Sequence, residues 1–143
     1  MSHGAIRLCM TLALTALGGC AVAPPYELPA KSETARLKVA SPTETWICVD
    51  NAKRSFSPDK DGYAKIKAGE RVVVGLQYSA EGYNVHYTCD PSVSFIPLAG
   101  ESYYQDFQVE AEKCTAFIYR EVSTNPVGLD FESSVDKGGR CKK

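Results

Sequence analysis

The chain has few of the residues from which active sites and metal centres are usually built. Histidine occurs only at His3 and His86, and the 143 residues include two methionines and one tryptophan. An excess of charge of one sign is also lacking, because 16 basic residues stand against 17 acidic ones, a net charge of −1. This balance excludes the basic footprint that nucleic-acid-binding domains carry. We therefore expect no nucleic-acid partner.

Helical periodicity is lacking as well. No stretch keeps apolar residues at i, i+3 and i+4 over several turns, and no internal repeat is visible. A short helix or turn would fit at most residues 105–113 or the C-terminus. The apolar run at residues 8–17 is short, whereas a membrane-spanning helix needs about 20 residues. The sequence therefore predicts neither a helical bundle nor a membrane-spanning helix.

What the chain has instead is an apolar period of two. Leu37 and Val39 alternate with basic residues, and Val72, Val74 and Leu76 share one face of a predicted strand. Similar patterns, separated by turn residues, occur at residues 46–49, 83–89, 95, 103–109 and 117–119. About seven short strands at this spacing predict a small antiparallel β-sandwich.

The N-terminal segment resembles the export signal of bacterial lipoproteins. Arg7 precedes the apolar run, and Leu17-Gly18-Gly19-Cys20 is similar to the lipobox that ends such signals. The resemblance implies cleavage before Cys20, which would become the lipidated N-terminus. Two other interpretations are an ordinary signal peptide and a buried helix that ends in cysteine.

This resemblance sets the expected domain organisation and location. Residues 1–19 would be the signal peptide, residues 20–34 the lipidated cysteine with a flexible proline-rich tether, and residues 35–143 one β-sandwich domain. Part of the tether could instead form a short first strand or bind a partner. Lipoproteins of this class carry several acyl chains, which implies lasting membrane attachment. Because Ala21 rather than an aspartate follows Cys20, the analogy points to the outer membrane, with the domain facing the periplasm.

Four cysteines remain once Cys9 is assigned to the signal and Cys20 to the lipid: Cys48, Cys89, Cys114 and Cys141. An even number in an exported domain predicts two disulfides. A zinc site is the competing interpretation, but the close C-x-x-C type of spacing is missing. Of the possible connectivities we favour Cys89–Cys114, which would join neighbouring strands, and Cys48–Cys141, which would hold the C-terminal tail.

Tyrosine is the abundant aromatic residue, with eight in the chain. Its ring buries apolar area and its hydroxyl stays polar, so it suits both cores and interaction surfaces. Tyr78, Tyr87 and Tyr103 lie on apolar strand faces and are predicted to be in the core. Tyr83, in a turn, and Tyr104, which shares a face with acidic and polar residues, are predicted to be exposed and form a candidate interaction surface.

Candidate catalytic and metal-binding residues each have a simpler interpretation. His86 lies on the polar face of its strand, where a solvent-facing or hydrogen-bonded role is expected. Asp59-x-Asp61-Gly62 is similar to part of a calcium loop but lacks the distal glutamate, and a β-turn explains it. Four carboxylates are predicted to lie on a solvated sheet edge: Glu101, Asp106, Glu110 and Glu112. We therefore predict no catalytic site, no metal and no cofactor.

A second resemblance lies in the turns. Lys67-Ala68-Gly69-Glu70, and the spacing of Phe95, Pro97, Gly100 and Tyr103, are similar to small bacterial envelope β-domains of the PEGA-like and DUF2846-like kinds. The resemblance implies a small sandwich and transfers little chemistry. The expected function is a non-catalytic binding or scaffolding module of the cell envelope, with an envelope protein or peptidoglycan as partner.

An inhibitor of a lytic enzyme such as lysozyme is the alternative function. Tyr87-Thr88-Cys89 and the segment Ala99-Gly100-Glu101-Ser102-Tyr103 are similar to elements of periplasmic lysozyme inhibitors. The segment departs from those proteins at Ala99, where they have a serine. An enzyme acting on cell-wall glycans or peptides is a third interpretation and would have to use His86 and the carboxylates.

Overall fold

The computed structural model describes residues 23–41, 44–111, 113–137 and 139–141, and this part of the chain is all-β. Eleven strands are present: β1 (Thr34–Val39), β2 (Thr45–Val49), β3 (Ala52–Ser55), β4 (Tyr63–Lys67), β5 (Val72–Leu76), β6 (Tyr78–Gly82), β7 (Val85–Cys89), β8 (Ser92–Phe95), β9 (Ser102–Glu110), β10 (Lys113–Glu121) and β11 (Leu129–Phe131). The lipobox with Cys20, Ala21 and Glu112 lie outside the described residues.

The strands form three sheets. The first has five strands in the order β11-β10-β9-β1-β4, the second has four in the order β3-β2-β5-β8, and β6 and β7 form a separate hairpin. All neighbouring strands are antiparallel except β1 and β9, which run parallel. The predicted antiparallel sandwich is thus confirmed as an all-β fold, with one parallel pair and more strands than the seven expected.

The core lies between the two larger sheets. Strand β1 shows why, because its alternate residues Ala35, Leu37 and Val39 are all buried while Arg36 and Lys38 point outward. The five-stranded sheet also contributes Tyr103 and Ile118, and the four-stranded sheet faces them with Val74, Val93 and Phe95. The rings of Phe95 and Tyr103 meet across the core with centroids 5.1 Å apart. The period of two in the sequence therefore encodes the two inner faces.

The outer face of the four-stranded sheet has its own covering. Trp46 pairs with Gly75 on the neighbouring strand and is 6% exposed. Its indole Nε1 donates to Asp90 Oδ1 at 2.9 Å. Lys53 lies over the ring, 4.3 Å from its centroid, and also pairs with Asp90. This cluster explains why the segment 46–49 is apolar on both faces.

Both edges of the four-stranded sheet are covered by terminal segments. At the β3 edge, Tyr26 N donates to Ser55 O at 2.8 Å and Ser55 N donates to Pro24 O at 3.0 Å. Part of the segment predicted to be a flexible tether thus lies against the domain, through one isolated parallel bridge between Pro25 and Ser55. At the β8 edge, Asp136 and Ser94 form an antiparallel bridge. These contacts leave less of each edge open to pairing with other chains.

Both predicted disulfides are present. Cys48–Cys141 joins β2 to the C-terminal tail, and Cys89–Cys114 joins β7 to β10. Because the tail runs along β8, the first disulfide fixes the segment that covers this sheet edge. No helix within the described ranges is long and apolar enough to cross a membrane. The short helix considered at residues 105–113 is instead strand β9, a turn and the start of β10.

Candidate functional site

The β6–β7 hairpin is the least covered part of the described chain. In that part, β6 and β7 pair only with one another, so each has a free edge. The turn at Tyr83 and Asn84 joins them, and Asn84 takes a φ of +61°, a left-handed conformation that asparagine tolerates well. The Tyr83 side chain at the tip is 95% exposed. The hairpin therefore presents a ring and two open strand edges to solvent.

One face of this hairpin is apolar and uncovered. Its side chains are Tyr78, Ala80, Val85 and Tyr87, and Tyr87 is 48% exposed. Opposite lies the far end of the β9–β10 hairpin with Val109, which is also exposed. A cleft of about 610 Å³ separates the two hairpins and is lined mainly by apolar groups from both, together with Lys113. This cleft, with the hairpin tip, is called the hairpin cleft below.

The base of the hairpin cleft is held rigidly. The Cys89–Cys114 disulfide links the two hairpins, and the Tyr78 and Phe107 rings pack with centroids 5.5 Å apart. A covalent link and an aromatic contact at one end limit how far the hairpins can separate. Such a pre-formed cleft loses less conformational entropy on binding than a flexible loop does.

The prediction that Tyr87 belongs to the core is wrong. The alternation of residues 83–89 correctly gives one apolar face, but this hairpin extends beyond the sandwich. Only the base of that face is packed, where Tyr78 contacts Phe107, and Tyr87 stays half exposed. An apolar period of two shows which side chains share a face of the strand, but it does not show what packs against that face. Tyr103 is in the core as predicted, fully buried, and its hydroxyl accepts from Leu98 N at 2.9 Å.

The polar face of the hairpin brings three chemically suggestive groups together. His86 Nε2 is 3.5 Å from Ser79 Oγ, and His86 Nδ1 is 3.9 Å from Glu81 Oε1. This connectivity is that of a serine–histidine–carboxylate triad. However, the side chains of His86 and Glu81 are 58% and 86% exposed, so the enclosed low-dielectric surroundings that strengthen such a triad are missing at this position. Side chains alternate between the two faces of each strand, and this is sufficient to explain why Ser79, Glu81 and His86 lie together on one face of the hairpin.

A second surface lies on the outer face of the five-stranded sheet. The strand registers align one side chain from every strand in a single row: Tyr63, Lys38, Tyr104, Tyr119 and Phe131. Tyr104 and Tyr119 lie 6.5 Å apart between centroids, and Tyr119 and Phe131 lie 4.9 Å apart. Phe117, two residues before Tyr119 on β10, lies beside this row, and its ring centroid is 6.3 Å from that of Tyr119. The five aligned side chains together with Phe117 are called the aromatic row below.

A groove accompanies the aromatic row. It has a volume of about 580 Å³ and lies between the sheet and the loop that joins β10 to β11. Lys38, Ser102, Tyr104 and Glu121 form part of its lining. The loop carries Val127, which is 78% exposed. The groove thus combines polar and apolar groups, in contrast to the apolar hairpin cleft.

Hydrogen bonds and charges order the side chains around this groove. The Tyr63 hydroxyl donates to Glu121 Oε1 at 2.6 Å, and this hydrogen bond raises the pKa of Tyr63 to about 12. The Arg36 guanidinium lies 4.0 Å from the centroid of the same ring. Burial raises the pKa of Tyr104, so both phenols stay neutral at physiological pH.

The remaining candidates from the sequence have structural explanations. Asp59 Oδ1 accepts from the backbone N–H groups of Asp61 and Tyr63, each at 2.9 Å, which closes the turn and holds the pKa of Asp59 below its usual range. No group of three or more potential metal ligands occurs in the described part of the chain. Glu101 and Asp106 are half-buried and Glu110 is exposed. Asp106 and Glu110 lie on β9 and Glu101 directly precedes it, so they are not gathered in one site.

Of the two predicted interaction tyrosines, Tyr83 lies at the tip of the hairpin and Tyr104 lies in the aromatic row, so the structure does not bring them together. Sequence reasoning missed Lys38, Tyr119 and Phe131 as neighbours of Tyr104. Only the strand registers align them, and register between distant strands has no local signal in the sequence.

The comparisons with known proteins add no relative to this description. Set against protein-family models, curated proteins and solved structures, the chain shows no match in any of the three comparisons.

Proposed function

We propose that the protein is a lipid-anchored, non-catalytic binding module of the bacterial cell envelope, held at the periplasmic face of the outer membrane. The hairpin cleft is its site for a protein partner. The observation that carries this proposal is the uncovered apolar face of β6–β7. Alternating strands normally bury their apolar face, whereas here Tyr87, Val85 and Val109 are each nearly half exposed.

The chemistry of the hairpin cleft favours a protein partner in an extended conformation. The free edges of β6 and β7 offer backbone donors and acceptors to an added strand, and the apolar side chains offer contacts for alternate residues of that strand. Both edges of the four-stranded sheet, by contrast, are partly covered by the chain's own terminal segments. The hairpin is therefore a better site for strand addition than the four-stranded sheet.

The membrane part of the proposal rests on the sequence alone. The lipobox-like segment ending in Cys20 supplies the anchor, and the near-neutral charge of the chain leaves little electrostatic attraction to anionic lipid headgroups. The docking of residues 23–28 on the domain leaves a short linker between Cys20 and the fold. The domain would thus be held close to the membrane surface.

Site-specific photocrosslinking in cells tests this function. A photoreactive residue at position 83 or 87 of the full chain should give a discrete adduct with one envelope protein, and excess domain without the probe should compete it away. Position 88 is the matched control, because Thr88 is exposed on the opposite face of the same strand. Absence of any adduct, or equal adducts from positions 87 and 88, would overturn the proposal.

Inhibition of a lytic enzyme is the second candidate, favoured by the shape of the hairpin tip. Tyr83 projects from a hairpin that a disulfide fixes at its base, a geometry suited to insertion into an enzyme cleft. The segment 99–103, which is similar in sequence to an element of lysozyme inhibitors, is less suitable for insertion into an enzyme cleft because its Tyr103 is fully buried. Lysozyme assays with the purified domain and its Tyr83→Ala variant test this candidate function. If it is correct, the domain should inhibit lysozyme at micromolar concentration and the Tyr83→Ala variant should not.

A further inference from the structure

We infer that the aromatic row binds an extended polysaccharide of β-linked sugars. The inference goes beyond the proposed function, because it concerns a different sheet face and a different class of ligand from the hairpin cleft. It rests on the ring geometry, on the polar groups beside the rings and on the charges of this face.

The row has the dimensions of a linear binding site. One side chain from each of five strands lies on it, and neighbouring strands are separated by about 4.8 Å. The row therefore extends over about 19 Å at right angles to the strands. A site of this length accommodates several consecutive sugar units rather than a single one.

The rings offer the right surface for sugars. The planes of Tyr104 and Phe117 lie within 28° and 26° of the plane of Tyr119, so the three ring planes are nearly parallel. Phe131 at the end of the row is 73% exposed and is in contact with Tyr119. A pyranose with equatorial substituents has an apolar C–H face that packs on an aromatic face. Repeated rings in a row therefore match the repeated faces of a β-linked chain.

Polar groups stand where sugar hydroxyls would need them. Lys38 lies within the row between Tyr63 and Tyr104, and Glu121 and Ser102 line the adjoining groove. An ammonium group donates only, a carboxylate accepts only, and hydroxyls of serine and tyrosine do both. Vicinal sugar hydroxyls also donate and accept, so this mixed set can satisfy them.

The same charges disfavour a protein partner on this face. Arg36, Lys38 and Glu121 would have to lose water in a dry interface, which is costly unless each is paired again. Sugar hydroxyls can replace the lost water at all three groups. Charges of both signs also fit a neutral polymer better than a polyanion or a polycation. The lining of the hairpin cleft is mainly apolar, with Lys113 as its charged residue, which separates the two surfaces by ligand chemistry.

Binding to defined glycans tests the inference. The purified domain would be titrated calorimetrically with soluble tetramers of β-linked N-acetylglucosamine, with tetramers of α-linked glucose as the control for linkage, and would be sedimented with purified peptidoglycan sacculi. We expect binding to the β-linked tetramer and to sacculi, and none to the α-linked sugar. Trp46 lies on the other sheet, so its fluorescence should not change on binding.

Variants locate the site. Tyr119→Ala and the exposed Phe131→Ala should each weaken binding by roughly three- to tenfold, the usual value of one aromatic contact. Tyr119→Phe should retain binding, because the ring remains. A Tyr83→Ala, Tyr87→Ala double variant should bind glycan normally, because both residues belong to the hairpin cleft.

Three results would overturn the inference. The first is no binding to either β-linked probe. The second is binding that Tyr119→Ala and Phe131→Ala both leave unchanged, while their melting curves show a folded domain. The third is binding to sacculi without binding to the soluble tetramer, which would indicate recognition of peptide stems. None of these results would affect the crosslinking test of the hairpin cleft, so the two proposals can fail separately.

Discussion

Gly75 shows how closely single residues are packed against the four-stranded sheet. A Cβ added at this position would lie 2.4 Å from Trp46 Cζ2 and 2.7 Å from the carbonyl oxygen of Pro91. Neither atom can move away easily, because Trp46 is buried and held by Asp90, and the other atom is backbone. We therefore expect Gly75→Ala to lower the free energy of unfolding by about 1–3 kcal/mol, the usual cost of overpacking.

Chemical denaturation of Gly75→Ala beside a matched glycine variant checks this expectation. Gly82→Ala is the control, because the nearest atom to its added Cβ is the Val85 carbonyl oxygen at an ordinary 3.8 Å. Its denaturation midpoint should stay close to that of the native chain. Equal midpoints for both variants would show that Trp46 does not pack on Gly75.

Gln105 is a second residue whose environment makes a measurable prediction. It is 1% exposed on the inner face of β9, and its amide nitrogen and oxygen have no hydrogen-bond partner among the described residues. An unsatisfied buried polar group costs about 1–3 kcal/mol. Gln105→Leu, of similar volume, should therefore raise the free energy of unfolding by about 1–2 kcal/mol.

The exposed Gln108 on the same strand gives the control for this substitution, and Gln108→Leu should change stability by less than about 0.5 kcal/mol. Thermal and denaturant unfolding of both variants is the measurement. A destabilised Gln105→Leu variant would contradict the prediction and show that the amide is satisfied in solution, for instance by a buried water.

At the scale of elements, the two disulfides stabilise different parts of the fold. Cys48–Cys141 spans 93 residues and Cys89–Cys114 spans 25. In the chain-entropy model these loops contribute about 4.6 and about 3.5 kcal/mol. Replacing both cysteines of one pair by alanine should therefore cost more stability for the first pair than for the second.

Hydrogen exchange can show which part of the fold each disulfide stabilises. Loss of Cys89–Cys114 should raise exchange in β6 and β7, whereas loss of Cys48–Cys141 should raise it in residues 132–141 and in the β8 edge that they cover. Uniform acceleration in both variants would mean that neither disulfide acts locally, and that each only stabilises the whole domain.

Much of the strand content could be predicted from the sequence, and the failures have physical causes. All seven predicted strand regions contain strands, and β3, β4, β6 and β11 are additional. Strands β3 and β11 are short edge strands of four and three residues, and β4 alternates with lysines. The strand predicted around Val72, Val74 and Leu76 ends at Leu76, and Gln77, whose N–H donates to Glu44 O at 2.9 Å, separates it from β6. Edge strands are defined by their neighbours more than by their own residues.

Candidate surfaces were harder to predict than strands. Tyr83 could be identified because a tyrosine in a turn has no sheet to cover it. The hairpin cleft and the aromatic row depend on where whole strands are placed, since Lys38 and Tyr104 come together through the parallel pairing of β1 with β9. Parallel partners are joined by long connections, so no short sequence pattern reports them.

At the scale of the whole molecule, the two chain ends and the two surfaces have a consistent arrangement. The ends cover the edges of one sheet, the hairpin remains open at the side, and the outer face of the other sheet carries the aromatic row. Pairing between copies through the edges of the four-stranded sheet is thus disfavoured, whereas the hairpin edges and the exposed apolar face beside them stay open to a partner.

The anchor itself makes the last prediction. If Cys20 is lipidated, cells that express the full chain should incorporate an alkyne-labelled fatty acid into it, and the protein should sediment with outer membranes. Cys20→Ser should abolish the label and release the domain, since several buried acyl chains, at about 0.8 kcal/mol per CH₂, supply the attachment. Cys9→Ser, within the proposed signal, is the matched control and should change neither label nor location. Labelling that survives Cys20→Ser would overturn the lipoprotein assignment, while an unlabelled but secreted domain would identify the N-terminal segment as an ordinary signal peptide.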